Sequence, residues 1–161
     1  MNYHNIISDD MNNGDGLRVT LFVSGCNHHC INCHNPETWD ICSGILFDKD
    51  AENELFDKLK PNWISGITFS GGDPLHPSNR EEILRLSKQF KELFPNKTAW
   101  LYTGYEFEEI KNLEILKYLD VIVVGPFVDA LKDVNYEWAG STNQRVLRKT
   151  DHQWIENKKE E

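Results

Sequence analysis

Cys26, Cys30 and Cys33 stand in the pattern C-x₃-C-x₂-C directly after the apolar run Leu21-Phe22-Val23. Three thiolates this close fit a compact loop around a soft metal centre, because sulfur ligands select iron–sulfur clusters, zinc or cuprous copper over hard cations. A structural zinc site closes with four ligands, whereas three thiolates suit a four-iron cluster with one iron left open for chemistry. A Cys₃His zinc site stays open as the alternative, since His28, His29 and His34 share the loop. Disulfides between such close cysteines would be strained. Cys42 has no ligand spacing to the trio and reads as an unligated thiol.

A second candidate is the turn Gly71-Gly72-Asp73. Two residues without Cβ let a ligand lie along the backbone. Main-chain carbonyls and the Asp73 carboxylate could then accept from a bound ammonium group. The same residues also serve as an ordinary tight turn.

The elements that must position these groups alternate along the chain. Leu17–Val23 is extended and runs into the cysteine loop. A helix is expected over about Asp50–Leu59, then a short strand over Gly66–Ser70 ending in the glycine turn. Ser78 and Glu81 have capping-box spacing ahead of a helix striped by Ile83, Leu86, Phe90 and Leu93, and Pro95-Asn96 stops it. Thr98–Thr103 is strand-like, Phe107, Ile110 and Leu113 mark a further helix, and Val121–Val124 is an apolar strand broken by Gly125-Pro126. Arg145–Arg148 gives a last strand. Strands separated by helices predict an α/β fold with a mostly parallel, splayed sheet of four or five strands, too few for a closed barrel. The expected form is a small partial (β/α) barrel. Sites in such sheets collect at the carboxyl ends of strands, which places the cysteine loop, Gly71–Asp73, Thr103-Gly104 and Gly125-Pro126 on one rim.

Composition bounds the partners. The chain has 161 residues, with 17 basic and 26 acidic side chains and a formal net charge of −9. That balance argues against sequence-independent nucleic-acid binding, which needs basic contacts to phosphates. No apolar run is long enough to span a membrane, and no secretory or lipidation signal is read at the start. The expectation is a cytoplasmic protein with one domain over residues 1–150 and a charged tail over 151–161 that frays.

Cys26-x₃-Cys30-x₂-Cys33 followed by a Gly-Gly-acidic turn resembles the radical S-adenosylmethionine superfamily. The closer resemblance is to the activating proteins of anaerobic (class III) ribonucleotide reductases. It rests on Asn13-Gly14-Asp15-Gly16-Leu17-Arg18, Phe22-Val23-Ser24-Gly25-Cys26, Ser70 to Pro77, Tyr102-Thr103-Gly104-Tyr105, Gly125-Pro126-Phe127 and Gly140 to Arg145, in order over about residues 1–150.

The resemblance implies a [4Fe–4S] cluster on Cys26, Cys30 and Cys33. It further implies S-adenosylmethionine chelating the fourth iron and a 5′-deoxyadenosyl radical that abstracts hydrogen from a glycine of the reductase large subunit. A low-potential electron donor is required, because the cluster must lie toward the reducing end of the roughly −700 to +450 mV range of such sites. Gly71, Gly72 and Asp73 would receive the methionyl amino group. Backbone around Asn32, Cys33 and His34 would lie near the adenine or sulfonium, and Asn143 and Arg145 are further contact candidates. The sequence also departs from the family. Asn32 stands where many members carry an aromatic residue, His34 where a tyrosine is expected, and Val124 where an aspartate is frequent.

Overall fold

The computed structural model describes residues 1–33 and 36–156. Its centre is β2 (Leu17–Val23), β4 (Ile64–Gly71), β5 (Thr98–Tyr102) and β6 (Val121–Val124), four mutually parallel strands in that spatial order. Antiparallel strands extend both flanks. β1 (Asn2–Asp10) and β3 (Ile45–Leu46) lie outside β2, while β7 (Arg145–Thr150) and β8 (Gln153–Glu156) lie outside β6. The sheet is therefore eight-stranded and mixed, not a mostly parallel sheet of four or five strands. Its parallel character is confined to the middle, where helical crossovers return the chain.

Period-2 alternation gives the sheet two unlike faces. In β2, Val19, Leu21 and Val23 are buried on one face, and Arg18, Thr20 and Phe22 point to the other. The first face packs on α1 (Lys49–Leu59) through Leu55, Phe56 and Leu59 and on α2 (Arg80–Leu93) through Ile83, Leu86 and Phe90. Full burial of such a side chain contributes about 1.5–3 kcal/mol, so this layer dominates stability. The second face carries a smaller cluster of Trp100, Val121, Val123 and Val146, with Trp138 packed edge-on to Trp100.

Three local expectations change. α2 begins at Arg80 with Asn79 as its N-cap residue, and the Ser78–Glu81 capping box does not form. The Asn79 amide instead donates to the Ser24 and Asp73 carbonyls, which ties the helix entry to the rim. The helix marked by Phe107, Ile110 and Leu113 is one turn, α3 (Phe107–Ile110), followed by a 3₁₀ segment at Glu114–Tyr118. Residues 151–156, read as part of a fraying tail, form a turn and β8, because pairing with β7 satisfies their backbone. Among the described residues no helix is long and apolar enough to cross a membrane.

Candidate functional site

The parallel strands all end on one side, and the turns that follow them meet there. A cavity of about 190 Å³ at this rim is lined by Cys26, Cys30 and Cys33, by Ser70, Gly71 and Gly72, by Thr103 and Gly104, and by Gly125 and Phe127. A larger groove of about 710 Å³ opens at the opposite end of the sheet, beside Thr98 and Val121, and contains no cysteine. The chemistry-bearing residues belong to the smaller cavity.

The cysteine loop is seated by its backbone. Gly25 donates to the Thr38 carbonyl at 2.6 Å and Cys26 to the Trp39 carbonyl at 3.0 Å. None of the three cysteines forms a disulfide. Burial pushes the Cys26 thiol up to about 11 and raises that of Cys30, while backbone N–H groups of His28 and Phe127 respectively pull the other way. Three soft thiols around one cavity fit a polynuclear iron–sulfur centre, whose binding displaces the thiol protons. Cys42 is exposed and does not line the cavity.

The glycine turn is held against the same loop. Gly72 donates to the Val23 carbonyl at 2.8 Å and Asp73 to the Gly25 carbonyl at 2.6 Å. Gly71 has φ +108°, and a Cβ there would strike the Val23 backbone. A Cβ on Gly72 would come within 2.6 Å of the Gly25 carbonyl oxygen and 2.9 Å of that of Thr38. The glycines are thus required by the close approach of β4 to the foot of the cysteine loop, and the space their missing side chains leave is filled by protein backbone.

Asp73 is 1% exposed and absent from the cavity wall. Its carboxylate accepts from Leu75 N at 2.8 Å, Gly104 N at 2.9 Å, Thr103 Oγ1 at 2.9 Å and His28 Nε2 at 2.6 Å. Gly71 and Gly72 border the cavity, whereas the Asp73 side chain is turned to these donors and does not. The hydrogen bond to Asp73 raises the His28 pKa against the opposing effect of burial. His28 lines the cavity, and the imidazole weighed as a zinc ligand has its Nε2 committed to this carboxylate.

Asn32 is exposed with φ +57° and does not border the cavity, and His34 falls outside the described residues. Asn143 closes the loop after β6 by donating to the Pro126 carbonyl at 2.8 Å, and Arg145 bonds Glu156 at 3.2 Å. Gln144, not singled out from the sequence, borders the cavity and donates to the Gly125 carbonyl at 3.0 Å. No spacing signal marks either residue: His28 acts on Asp73, 45 residues away, and Gln144 bridges its own turn, at Gly140 N and Ser141 N, to the Gly125 carbonyl.

A family of 4Fe-4S single cluster domains matches residues 12–147. The chain is 48% identical to the anaerobic ribonucleoside-triphosphate reductase-activating protein of Enterobacteria phage T4, over 96% of this chain and 98% of that protein. Proteins of the same name are 42% identical in Vibrio cholerae, over 93% of this chain and 99% of the relative, and 43% in Escherichia coli K12, over 91% and 97%. With a four-iron domain spanning the three thiols and near full-length similarity on either side of it, the chain belongs to the anaerobic ribonucleoside-triphosphate reductase-activating protein family.

Proposed function

We propose that the protein generates a glycyl radical on the large subunit of an anaerobic ribonucleotide reductase, with Cys26, Cys30 and Cys33 as the ligands of its [4Fe–4S] cluster. The observation that carries these assignments is the shared cavity: three thiols open onto the same space as the backbone of Gly71 and Gly72. Cys26, Cys30 and Cys33 would hold the cluster, which when bound would pass one electron from an external low-potential donor to the sulfonium of S-adenosylmethionine, so that the C5′–S bond breaks to give methionine and a 5′-deoxyadenosyl radical that would take hydrogen from a glycine Cα.

The chain's own groups bind and orient. The thiols give up their protons as iron enters, which burial of Cys26 and Cys30 opposes and basic pH favours. Main-chain carbonyls at Ser70, Gly71 and Gly72 accept from the methionyl ammonium group, and Asp73 fixes that turn from behind. Backbone at Cys33, which lines the cavity, borders the adenine end. The sheet curls as a partial barrel whose mouth is this rim, where a glycine-bearing loop would dock. Residues 1–150 form the working domain, the compartment is the cytoplasm, and a low-potential donor delivers the electron.

Electron paramagnetic resonance on protein reconstituted and reduced without oxygen tests this. A reduced [4Fe–4S] signal that changes when S-adenosylmethionine is added is expected, followed by a glycyl radical signal once reductase is supplied. A cluster signal insensitive to S-adenosylmethionine, or zinc in place of iron, would overturn the reading.

A further inference from the structure

Two loops must be held at a fixed spacing for this reading to work. The cysteine loop sets where the open iron stands, and the Gly71-Gly72 backbone sets where the methionyl ammonium group sits. One molecule of S-adenosylmethionine must reach both. The loops meet through Asp73, whose carboxylate is buried at 1% exposure and so must be fully paired. Three of its donors come from places the sheet already fixes: Leu75 N within the same turn, and Thr103 Oγ1 and Gly104 N at the end of β5. The fourth, His28 Nε2 at 2.6 Å, comes from the cysteine loop itself.

The His28 ring is held for that purpose. It stands edge-on to Tyr105 with centroids 4.7 Å apart. It also lies close on Gly104, where any Cβ would come within 2.5 Å of its Cδ2. Tyr105 and Gly104 thus crowd the ring on two sides while it also borders the cavity, and Nε2 points at Asp73.

From this geometry we infer that His28 is a positioning residue for S-adenosylmethionine, acting through Asp73 to lock the cysteine loop onto the glycine turn. The assignment rests on the function proposed above. It separates two properties that the cysteines alone would join. Without His28 the thiols still line the cavity and iron still enters, but the turn keeps only its backbone bonds to the foot of the cysteine loop, and its spacing from the open iron loosens. A misplacement of about 1 Å between two groups that act on one ligand is costly.

The test compares wild type, His28→Leu and His28→Gln, each reconstituted anaerobically. Iron content, the reduced cluster signal and the dissociation constant for S-adenosylmethionine are measured on each. Leucine fills the space without a donor, whereas the glutamine amide can donate to the same carboxylate. His28→Leu is expected to hold wild-type iron while its affinity for S-adenosylmethionine falls about tenfold, the scale of one hydrogen bond to a charged group. At saturating S-adenosylmethionine its cluster signal should shift as in wild type, and His28→Gln should recover most of the lost affinity.

A purely structural role gives a different pattern, with iron lost in parallel and no gain from glutamine. That pattern, or wild-type affinity in His28→Leu, overturns the assignment. If wild type itself shows no response to S-adenosylmethionine, the underlying functional reading fails and this inference with it.

Discussion

Two buried charges anchor opposite ends of the same sheet. At the carboxyl end Asp73 is 1% exposed and collects donors from three loops. At the amino end Arg18 is fully buried and gives five hydrogen bonds, to Thr68 Oγ1, to Thr98 Oγ1 and to the carbonyls of Asp15, Ile67 and Thr98. Burial lowers the Arg18 pKa to about 10, and its guanidinium also lies 5.4 Å from the Trp100 ring. The devices are alike, for each is a buried ion made tolerable by complete hydrogen bonding. What differs is the company they keep. The partners of Arg18 belong to strands β4 and β5 and to the turn before β2, so it welds the sheet's foot. Those of Asp73 sit on turns that border the cysteines, so it shapes a site. The same physical solution serves stability at one end and ligand geometry at the other.

The largest contrast comes from removing the chief group at each end. Cys30→Ala should abolish cluster assembly and all turnover while the chain stays folded, because its half-exposed thiol contributes little to the core. Arg18→Ala should do the reverse. It strands the Thr98 and Ile67 carbonyls and opens a void beside Trp100, and the loss should be about 3 kcal/mol of unfolding free energy. Iron analysis and chemical denaturation of both variants decide it. Full stability in Arg18→Ala, or iron retained in Cys30→Ala, would erase the distinction between the two ends.

Gly72→Ala sits between the extremes. The new methyl would press on the carbonyl oxygens of Gly25 and Thr38, which belong to the seat of the cysteine loop. The expected cost is about 2 kcal/mol of stability from overpacking, together with lower iron content and weaker binding of S-adenosylmethionine. If only ligand binding suffers, the glycine is needed for ligand space and the close approach of β4 to the loop matters little.

Much of this arrangement is legible in the amino-acid sequence. β2, β4, α2, β5, β6 and β7 announce themselves by periodicity and by glycine or proline breaks, and the cysteine spacing narrows the chemistry to a soft metal centre, with the family resemblance choosing iron–sulfur over zinc. β1 is hidden because Asn2–Asp10 is largely polar and keeps only Ile6 and Asp10 buried, so its alternation is faint. β8 is hidden because Gln153–Glu156 looks like charged tail and is ordered by its partner strand. The capping box fails for a physical reason too: the Asn79 amide has a better use at the rim than Ser78 has at the helix start. His28 and Asp73 are 45 residues apart, and no local rule couples them. Arg18 is visible in a motif, yet its partners come from β4 and β5 and appear only once the sheet is assembled.

The finest division between the two ends falls on a matched pair of threonines. Thr68 Oγ1 accepts from Arg18 Nε at 2.8 Å and donates to the Asn13 carbonyl, whereas Thr103 Oγ1 donates to Asp73 at 2.9 Å and accepts from Tyr105 N. Valine has nearly the same shape and removes only the hydroxyl. Each Thr→Val change should therefore cost a similar amount, about 1–2 kcal/mol, for the partners left unpaired. Binding of S-adenosylmethionine should separate them. Thr68→Val leaves it unchanged, because the foot of the sheet does not border the cavity. Thr103→Val weakens it about threefold, since Asp73 keeps its other donors but loses part of its restraint. Equal effects on ligand binding would mean that the two ends communicate through the sheet, and that Asp73 holds no special place at the site.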